Sequence, residues 1–345
     1  MKTILFTEAT NENIEAAAEI IRRGGLLGIP TETVYGLGAD ALNADACRRI
    51  YEAKGRPQDN PLIIHVPDST WLSRYCENVP ESAYRLADEF WPGPLTMILP
   101  KKDVVPYRTT GGLDTVGVRC PNHPVTLAVI RAASVPVAAP SGNTSGRPSP
   151  TTAADMVEDM DGKIDGIFDG GACSVGVEST IIDLTCEPPR LLRAGGLPLE
   201  ELQRVLGTVL VDRCITQPVA DGEHPRAPGM KYRHYAPKAP VTVVTGDGEK
   251  SADYIARHAQ QGAGVICFSE YRALFLGRVI HDLGPEGDKS EQARRVFDAL
   301  REFDVTGVPE IYAQCPDDAG LGLAIGNRLK KAAGFHLIDG DAPVV

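Results

Sequence analysis

The segment 217–240, QPVADGEHPRAPGMKYRHYAPKAP, holds five prolines and sets the first limit on the fold. Proline fixes φ and donates no backbone hydrogen bond, so neither a continuous helix nor a central strand can run through this stretch. The chain must therefore build its packed structure on either side, with an extended and fairly stiff connector between. The division this predicts is a first domain over 1–213, a connector over 214–240 and a second domain over 241–345. With 345 residues, 43% of them hydrophobic, the chain has enough apolar surface for two cores.

Ahead of the connector, short apolar β-rich runs alternate with helical patterns, the habit of an α/β layered domain. A first helix is expected with Asn11 as its cap, Ile14, Ala17, Ala18 and Ile21 on one face, and Gly24 or Gly25 at its last turn. A buried strand follows at 26–29. A second helix is expected over 45–53, capped by Asn43 and stopped by a left-handed Gly55, with a strand at 62–66 after it. Further strands are expected at 96–99, 115–119, 135–139, 167–168, 179–184 and 191–193, and helices at 81–90, 124–133, 151–160 and 198–206. After the connector, 241–244, 265–268, 278–283 and 310–313 read as strands. The stretch 290–303 between them puts Ala293, Val296, Phe297 and Leu300 on one helical face. The best match is a smaller, doubly wound parallel α/β domain of Rossmann-like kind.

A formal net charge of −11 weighs against a protein whose whole surface docks on phosphate backbones, so an anionic ligand needs a local basic site. The eight cysteines are scattered, with no CxxC pair and no tight Cys/His cluster, as in reduced cytosolic thiols. The apolar run after Met1 stops at Thr7 and Glu8, short of a signal-peptide core, and no stretch approaches the roughly 20 apolar residues of a membrane helix. A cytoplasmic protein without a membrane role is expected. Residues 284–290, GPEGDKS, lack phosphate-loop spacing and read as a turn. The run 320–326, GLGLAIG, lacks dinucleotide-fingerprint spacing and reads as a tight turn capping the last helix.

Four polar segments lie at predicted strand ends, where open α/β sheets bind ligands. Residues 30–38, PTETVYGLG, combine hydroxyls, a carboxylate and two glycines. Residues 54–61, KGRPQDNP, present two cations where a helix stops, with Arg56 beside a fixed proline and suited to gripping phosphate or carboxylate. Residues 138–146, AAPSGNTSG, form a donor-rich loop suited to anions. Residues 176–183, GVESTIID, are followed by Arg193, and Arg119 closes another strand. Each segment taken singly also fits an ordinary turn, cap or hairpin edge, and a lone strand histidine such as His65 is usually structural.

Together, PTETVYGLGAD, KGRPQDNPLIIHV, FWPGPLT, VGVRCP, APSGNTSGRPSPT and VEST, in this order, resemble the YrdC-type family of L-threonylcarbamoyladenylate synthases. The resemblance covers residues 5–207, and PGMKYRHYAP with the following domain resembles the family's long, two-domain form. It implies a twisted, mixed open sheet with helices for the first domain. It also implies an enzyme that turns L-threonine, bicarbonate and ATP, with Mg2+, into threonylcarbamoyl-AMP and pyrophosphate. The product would pass to a separate tRNA threonylcarbamoyltransferase complex that modifies the adenosine beside the anticodon; a weak direct contact with RNA stays open.

Carried over by position, the resemblance implies Lys54, Arg56, Ser141 and Asn143 as the catalytic residues. For ATP it implies Arg56, Asn60, Thr115, Ser141, Ser149 and Arg193, with Tyr232 or Tyr235 of the connector closing over the nucleotide. For threonine it implies Thr33, His65, Arg119, Ala139 and Ser179. Such chemistry joins two anions, which makes cations indispensable and a protein nucleophile unnecessary. Glu32, Asp40, Glu178 and Asp183 are the carboxylates near these segments, and no metal ligand is assigned among them. The rival readings are an RNA-binding, translation-associated module without catalysis and a carbamoyltransferase; the latter lacks the zinc-finger cysteines that usually accompany it.

Overall fold

The computed structural model describes residues 2–217, 227–228 and 235–342. The first sheet is built from β1 (Ile4–Phe6), β2 (Leu27–Ile29), β3 (Gly36–Asp40), β4 (Ile63–His65), β5 (Leu95–Pro100), β6 (Thr115–Arg119), β7 (Val137–Ala138), β8 (Gly166–Phe168), β9 (Thr180–Asp183), β10 (Arg190–Arg193) and β11 (Leu210–Val211). Their order is β1-β8-β2-β3-β7-β4-β6-β5-β9-β10-β11, with parallel and antiparallel neighbours mixed. This is the mixed open sheet that the resemblance implies.

Local chemistry explains the helices that flank it. Helix Ala44–Lys54 starts where the Asn43 side chain accepts hydrogen bonds from the amides of Asp45 and Ala46, and it ends on Gly55 at φ 62°. Helix Asn11–Arg22 is capped one residue earlier than expected, because Thr10, in extended conformation, accepts from the amide of Asn13 and leaves Asn11 as the first helical residue. Residues 36–38, expected as part of a polar loop, instead open strand β3 and pair antiparallel with β2. Its glycines make this close approach feasible: a Cβ on Gly38 would stand 3.0 Å from Val137 Cγ1 and 3.2 Å from the Leu27 carbonyl.

The second sheet comprises β12 (Val241–Thr245), β13 (Gly264–Cys267), β14 (Val279–Asp282), β15 (Ile311–Gln314) and β16 (Leu337–Asp339). All neighbours are parallel, in the order β14-β13-β15-β12-β16. The sheet is covered on both faces. Val244 packs with Ala252 and Ile255 of helix Gly248–His258, whereas Val243 joins the cluster containing Phe297 and Leu300 of helix Lys289–Thr306. The run 320–326 is mostly helix rather than a capping turn, since helix Gly322–Ala332 begins inside it.

One apolar cluster runs through both sheets' territory. Leu191, Leu197 and Ile215 of the first part share it with Val296, Phe297, Ile325 and Leu329 of the second, and Tyr235 lies within it. The second domain is therefore docked through its inner helices.

Candidate active site

Strand register lines up a short row of side chains in the middle of the first sheet. His65 pairs with Arg119 and Arg119 with Thr96, so these three fall side by side across β4, β6 and β5, while Ala139 directly follows β7 and Ser179 directly precedes β9. All of them are buried. The Ser179 and Thr96 hydroxyls are hydrogen-bonded at 2.8 Å, and Arg193 donates to the Ser179 carbonyl and hydroxyl, both at 3.0 Å. Arg119 forms an ion pair with Glu32 at 2.7 Å and donates to the Gly93 carbonyl at 3.2 Å, while Glu32 also accepts from the Asn122 amide at 3.0 Å. Thr31 and Thr33 pair through their hydroxyls at 2.8 Å.

Burial first, and the adjacent Arg119 cation second, push the His65 imidazole down to about 3. His65 is thus neutral at working pH, with Nδ1 3.3 Å from the Val137 carbonyl. The unfolded chain takes up a proton near pH 6.5 that the folded site refuses, so stability held above that value should fall as pH drops from about 6.5 toward 3. Urea midpoints measured across this range should slope less in a His65→Asn variant; equal slopes would remove His65 as the cause.

The second wall is the loop 140–146. It is fixed by Gly142 N to the Tyr35 carbonyl at 2.7 Å and Leu37 N to the Pro140 carbonyl at 2.8 Å. Lys54 ties this loop to the end of its helix: Nζ donates to the Ser141 carbonyl at 2.5 Å and to that of Asn143, and the Lys54 carbonyl accepts from Ser145 N at 2.9 Å. The lysine and serine–asparagine motifs are thus joined by Lys54 itself. Its amine is held well below the ordinary range by burial and then by the neighbouring Arg56 cation. The Asn143 amide donates to the Thr144 and Arg147 carbonyls, while its buried oxygen has no hydrogen-bond partner among the described residues.

These elements line a cleft whose empty space, counted out to its mouth open to solvent, is about 700 Å³. It is lined by Thr31, Thr33, Lys54, Arg56, His65, Arg119, Ala139, Ser141, Asn143, Glu178, Ser179, Arg193 and Tyr235, among others. Most of the residues singled out in the sequence therefore meet in one place. Asn60 stands beside the lining, its carbonyl 3.4 Å from Arg56 Nε and 3.1 Å from the Tyr51 hydroxyl. Ser149 lies behind Glu178, to which its hydroxyl donates at 2.8 Å. Thr115 sits at the other end of β6 from Arg119, opposite Pro100, and is not among the lining residues. Tyr232 and the neighbouring Arg233 and His234 lie outside the described residues, whereas Tyr235 is buried with its ring 5.1 Å from that of Phe297.

Three features escaped the sequence reading. The Glu32–Arg119 pair and Thr96 lie far apart in the chain from their partners, and no local motif marks them. Glu178 is engaged from the second domain, by Arg328 at 2.8 Å. Burial opposes its ionisation, but Arg328, Arg193 and the Ser149 hydroxyl outweigh this and hold the carboxyl at about 2.

No group of three or more His, Cys, Asp or Glu side chains among the described residues could hold a metal. Asp40 and Asp183 are occupied in local turns, accepting from the amides of Leu42 and Thr185 at 2.9 Å. Glu32 and Glu178 are committed to arginines. No helix among the described residues is long and apolar enough to cross a membrane.

The family described as telomere recombination matches residues 19–195, and the threonylcarbamoyl-AMP synthase C-terminal domain matches residues 197–334. The threonylcarbamoyl-AMP synthase of Pyrococcus abyssi is 49% identical over 334 residues, covering 94% of this chain and 95% of that protein. That of Bacillus subtilis is 45% identical, with 96% of each covered. A crystal structure of P. abyssi Sua5 complexed with L-threonine aligns with a TM-score of 0.90 at 47% identity, covering 98% of this chain and 99% of that one. Fold, cleft and kinship together define an enzyme of the nucleotidyltransferase type. The chain belongs to the threonylcarbamoyl-AMP synthase family.

Proposed function

We propose that this enzyme makes threonylcarbamoyl-AMP and pyrophosphate from L-threonine, bicarbonate and ATP. The observation that carries the proposal is a cleft lined jointly by Ala139, His65, Arg119 and Ser179 and by the cations Lys54, Arg56 and Arg193. In this assignment Ala139, His65, Arg119 and Ser179, with Thr33, receive threonine. Arg119 faces its carboxylate, and the neutral His65 ring adds no repulsion to its ammonium. Arg56, Arg193, Ser141, Asn143 and Tyr235 face the nucleotide, with Asn60 and Ser149 bracing them.

The threonine amine adds to the carbon of CO2 derived from bicarbonate and loses a proton, giving a carbamate. A carbamate oxygen then bonds to the α-phosphorus of ATP, the bond to the bridging oxygen breaks, and pyrophosphate leaves with that electron pair. The cations bring the two anions together and stabilise charge on the phosphoryl oxygens. The described carboxylates near the cleft are already engaged, so no ready-made Mg2+ cage stands among the described residues; the ion would arrive on the phosphates of ATP.

Further parts of the proposal are that 1–213 is the catalytic domain, 241–345 the second domain and 214–240 a lid that limits water around the labile intermediates. A cytoplasmic setting and transfer of the product to a tRNA-modifying complex follow from the same reading. The test is pyrophosphate release with ATP, threonine and bicarbonate, each withheld in turn. Release is expected only with all three present. Background release throughout, with tight salt-sensitive RNA binding, would instead support a non-catalytic RNA module.

A further inference from the structure

We propose that Arg328, a residue of the second domain, is a positioning residue of the cleft in the first, fixing the Glu178 carboxylate and the Tyr235 ring against the nucleotide. The inference rests on the activity proposed above. Arg328 has 0% exposure, on helix Gly322–Ala332. Its Nε meets Glu178 Oε2 at 2.8 Å, its Nη1 donates to the Ala194 carbonyl at 2.8 Å and to Asn327 Oδ1 at 3.1 Å, and its guanidinium carbon lies 5.7 Å from the Tyr235 ring centroid. Glu178 and Tyr235 both line the cleft.

The arrangement reaches further than one pair. Glu178 Oε1 accepts from the fully buried Ser149 hydroxyl, so Arg328 acts through Glu178 on the segment that follows the serine–asparagine loop. A second arginine of the same domain grips the preceding residue: Arg301 donates to the Pro148 carbonyl at 2.7 Å and to Asp159 Oδ2 at 2.6 Å. Arg147 takes the other oxygen of Asp159, and its carbonyl accepts from Asn143 Nδ2. Two arms of the second domain thus hold residues 147–149 from both sides, and with them the loop bearing Ser141 and Asn143.

Stability alone does not call for this chemistry, since a buried ion pair generally stabilises no better than well-packed apolar side chains of similar volume. A charged pair does supply directional restraint at a cleft wall. It also keeps Glu178 anionic, facing Arg193 from β10, Arg328 and Lys331 from the docked helix, Ser149 and the Tyr235 ring.

The experiment compares full-length Arg328→Met, Arg328→Lys, Glu178→Gln and the Glu178→Gln/Arg328→Met double variant by kcat, KM for ATP and for threonine, and the pH dependence of kcat/KM. Arg328→Met should lower kcat/KM for ATP by about 10- to 100-fold, the scale of a misplaced reacting group. It should also add an acid limb as the released carboxyl titrates, and Arg328→Lys should recover part of the loss. If Arg328 acts through Glu178, the double variant should be no worse than the worse single variant. Parental kinetics in Arg328→Met, or losses that multiply in the double variant, would overturn the inference. Should Arg328→Met fail to fold, Arg328→Met in the Glu178→Gln background carries the test, because no unpaired buried carboxylate remains. A parent protein without threonine-dependent pyrophosphate release would place the failure on the activity, not on Arg328.

Discussion

Replacing Lys54 by alanine should abolish pyrophosphate release and destabilise the protein together. The side chain is 1% exposed, and its ammonium donates to two loop carbonyls. Truncation leaves both acceptors buried without a partner and opens a cavity, at a cost of about 2–5 kcal/mol. For a chain of this size each kcal/mol shifts Tm by about 1–2 °C, so a drop of roughly 3–7 °C is expected. Loss of the loop's anchorage and of a cation should lower kcat by at least about 10²- to 10³-fold. Arg56→Ala separates the two effects, because Arg56 is only half-buried: activity should fall while Tm stays near the parent's. Calorimetry and pyrophosphate assays on both variants decide this, and a Lys54→Ala protein with parental turnover and Tm would end the anchoring account.

Arg119→Met should have an effect of similar size by another route. The Arg119 and Glu32 side chains are each 5% exposed, so removing the cation strands a buried carboxylate that keeps only the Asn122 amide. Breaking such a pair costs about 3–5 kcal/mol. Adding Glu32→Gln should restore most of the lost Tm. It should not restore threonine binding, because a lost charge-assisted contact to the substrate carboxylate is worth about 10- to 100-fold in KM. A double variant with parental KM for threonine would show that Arg119 serves only Glu32.

The legible parts of this molecule are those whose causes are local. Helices Glu81–Phe90 and Pro124–Ala133 and strand Thr115–Arg119 are read to the residue from periodicity and β-rich composition. Asn43 and Gly55 mark their helix because capping is a property of a few neighbouring residues. The strand Gly36–Asp40 is hidden because its glycines suit a loop as well as a tightly packed strand. Site residues on polar strand ends can be picked out singly, and the family resemblance joins them. What no local pattern contains is the pairing: Lys54 with the carbonyls 87 and 89 positions away, Glu32 with Arg119, and Glu178 with an arginine 150 positions on. Lys54 illustrates the difference, since its sequence context suggests a phosphate-facing cation and the fold gives that cation a second task inside the wall.

The apolar cluster shared by the two sheets has a kinetic consequence. Swinging the domains apart would expose Phe297, Val296 and Leu197 to water and break the Arg328–Glu178 and Arg301–Asp159 pairs in the same movement. Substrate entry and product release by displacements smaller than domain separation would leave all of these contacts in place, and with them the cleft's rear wall.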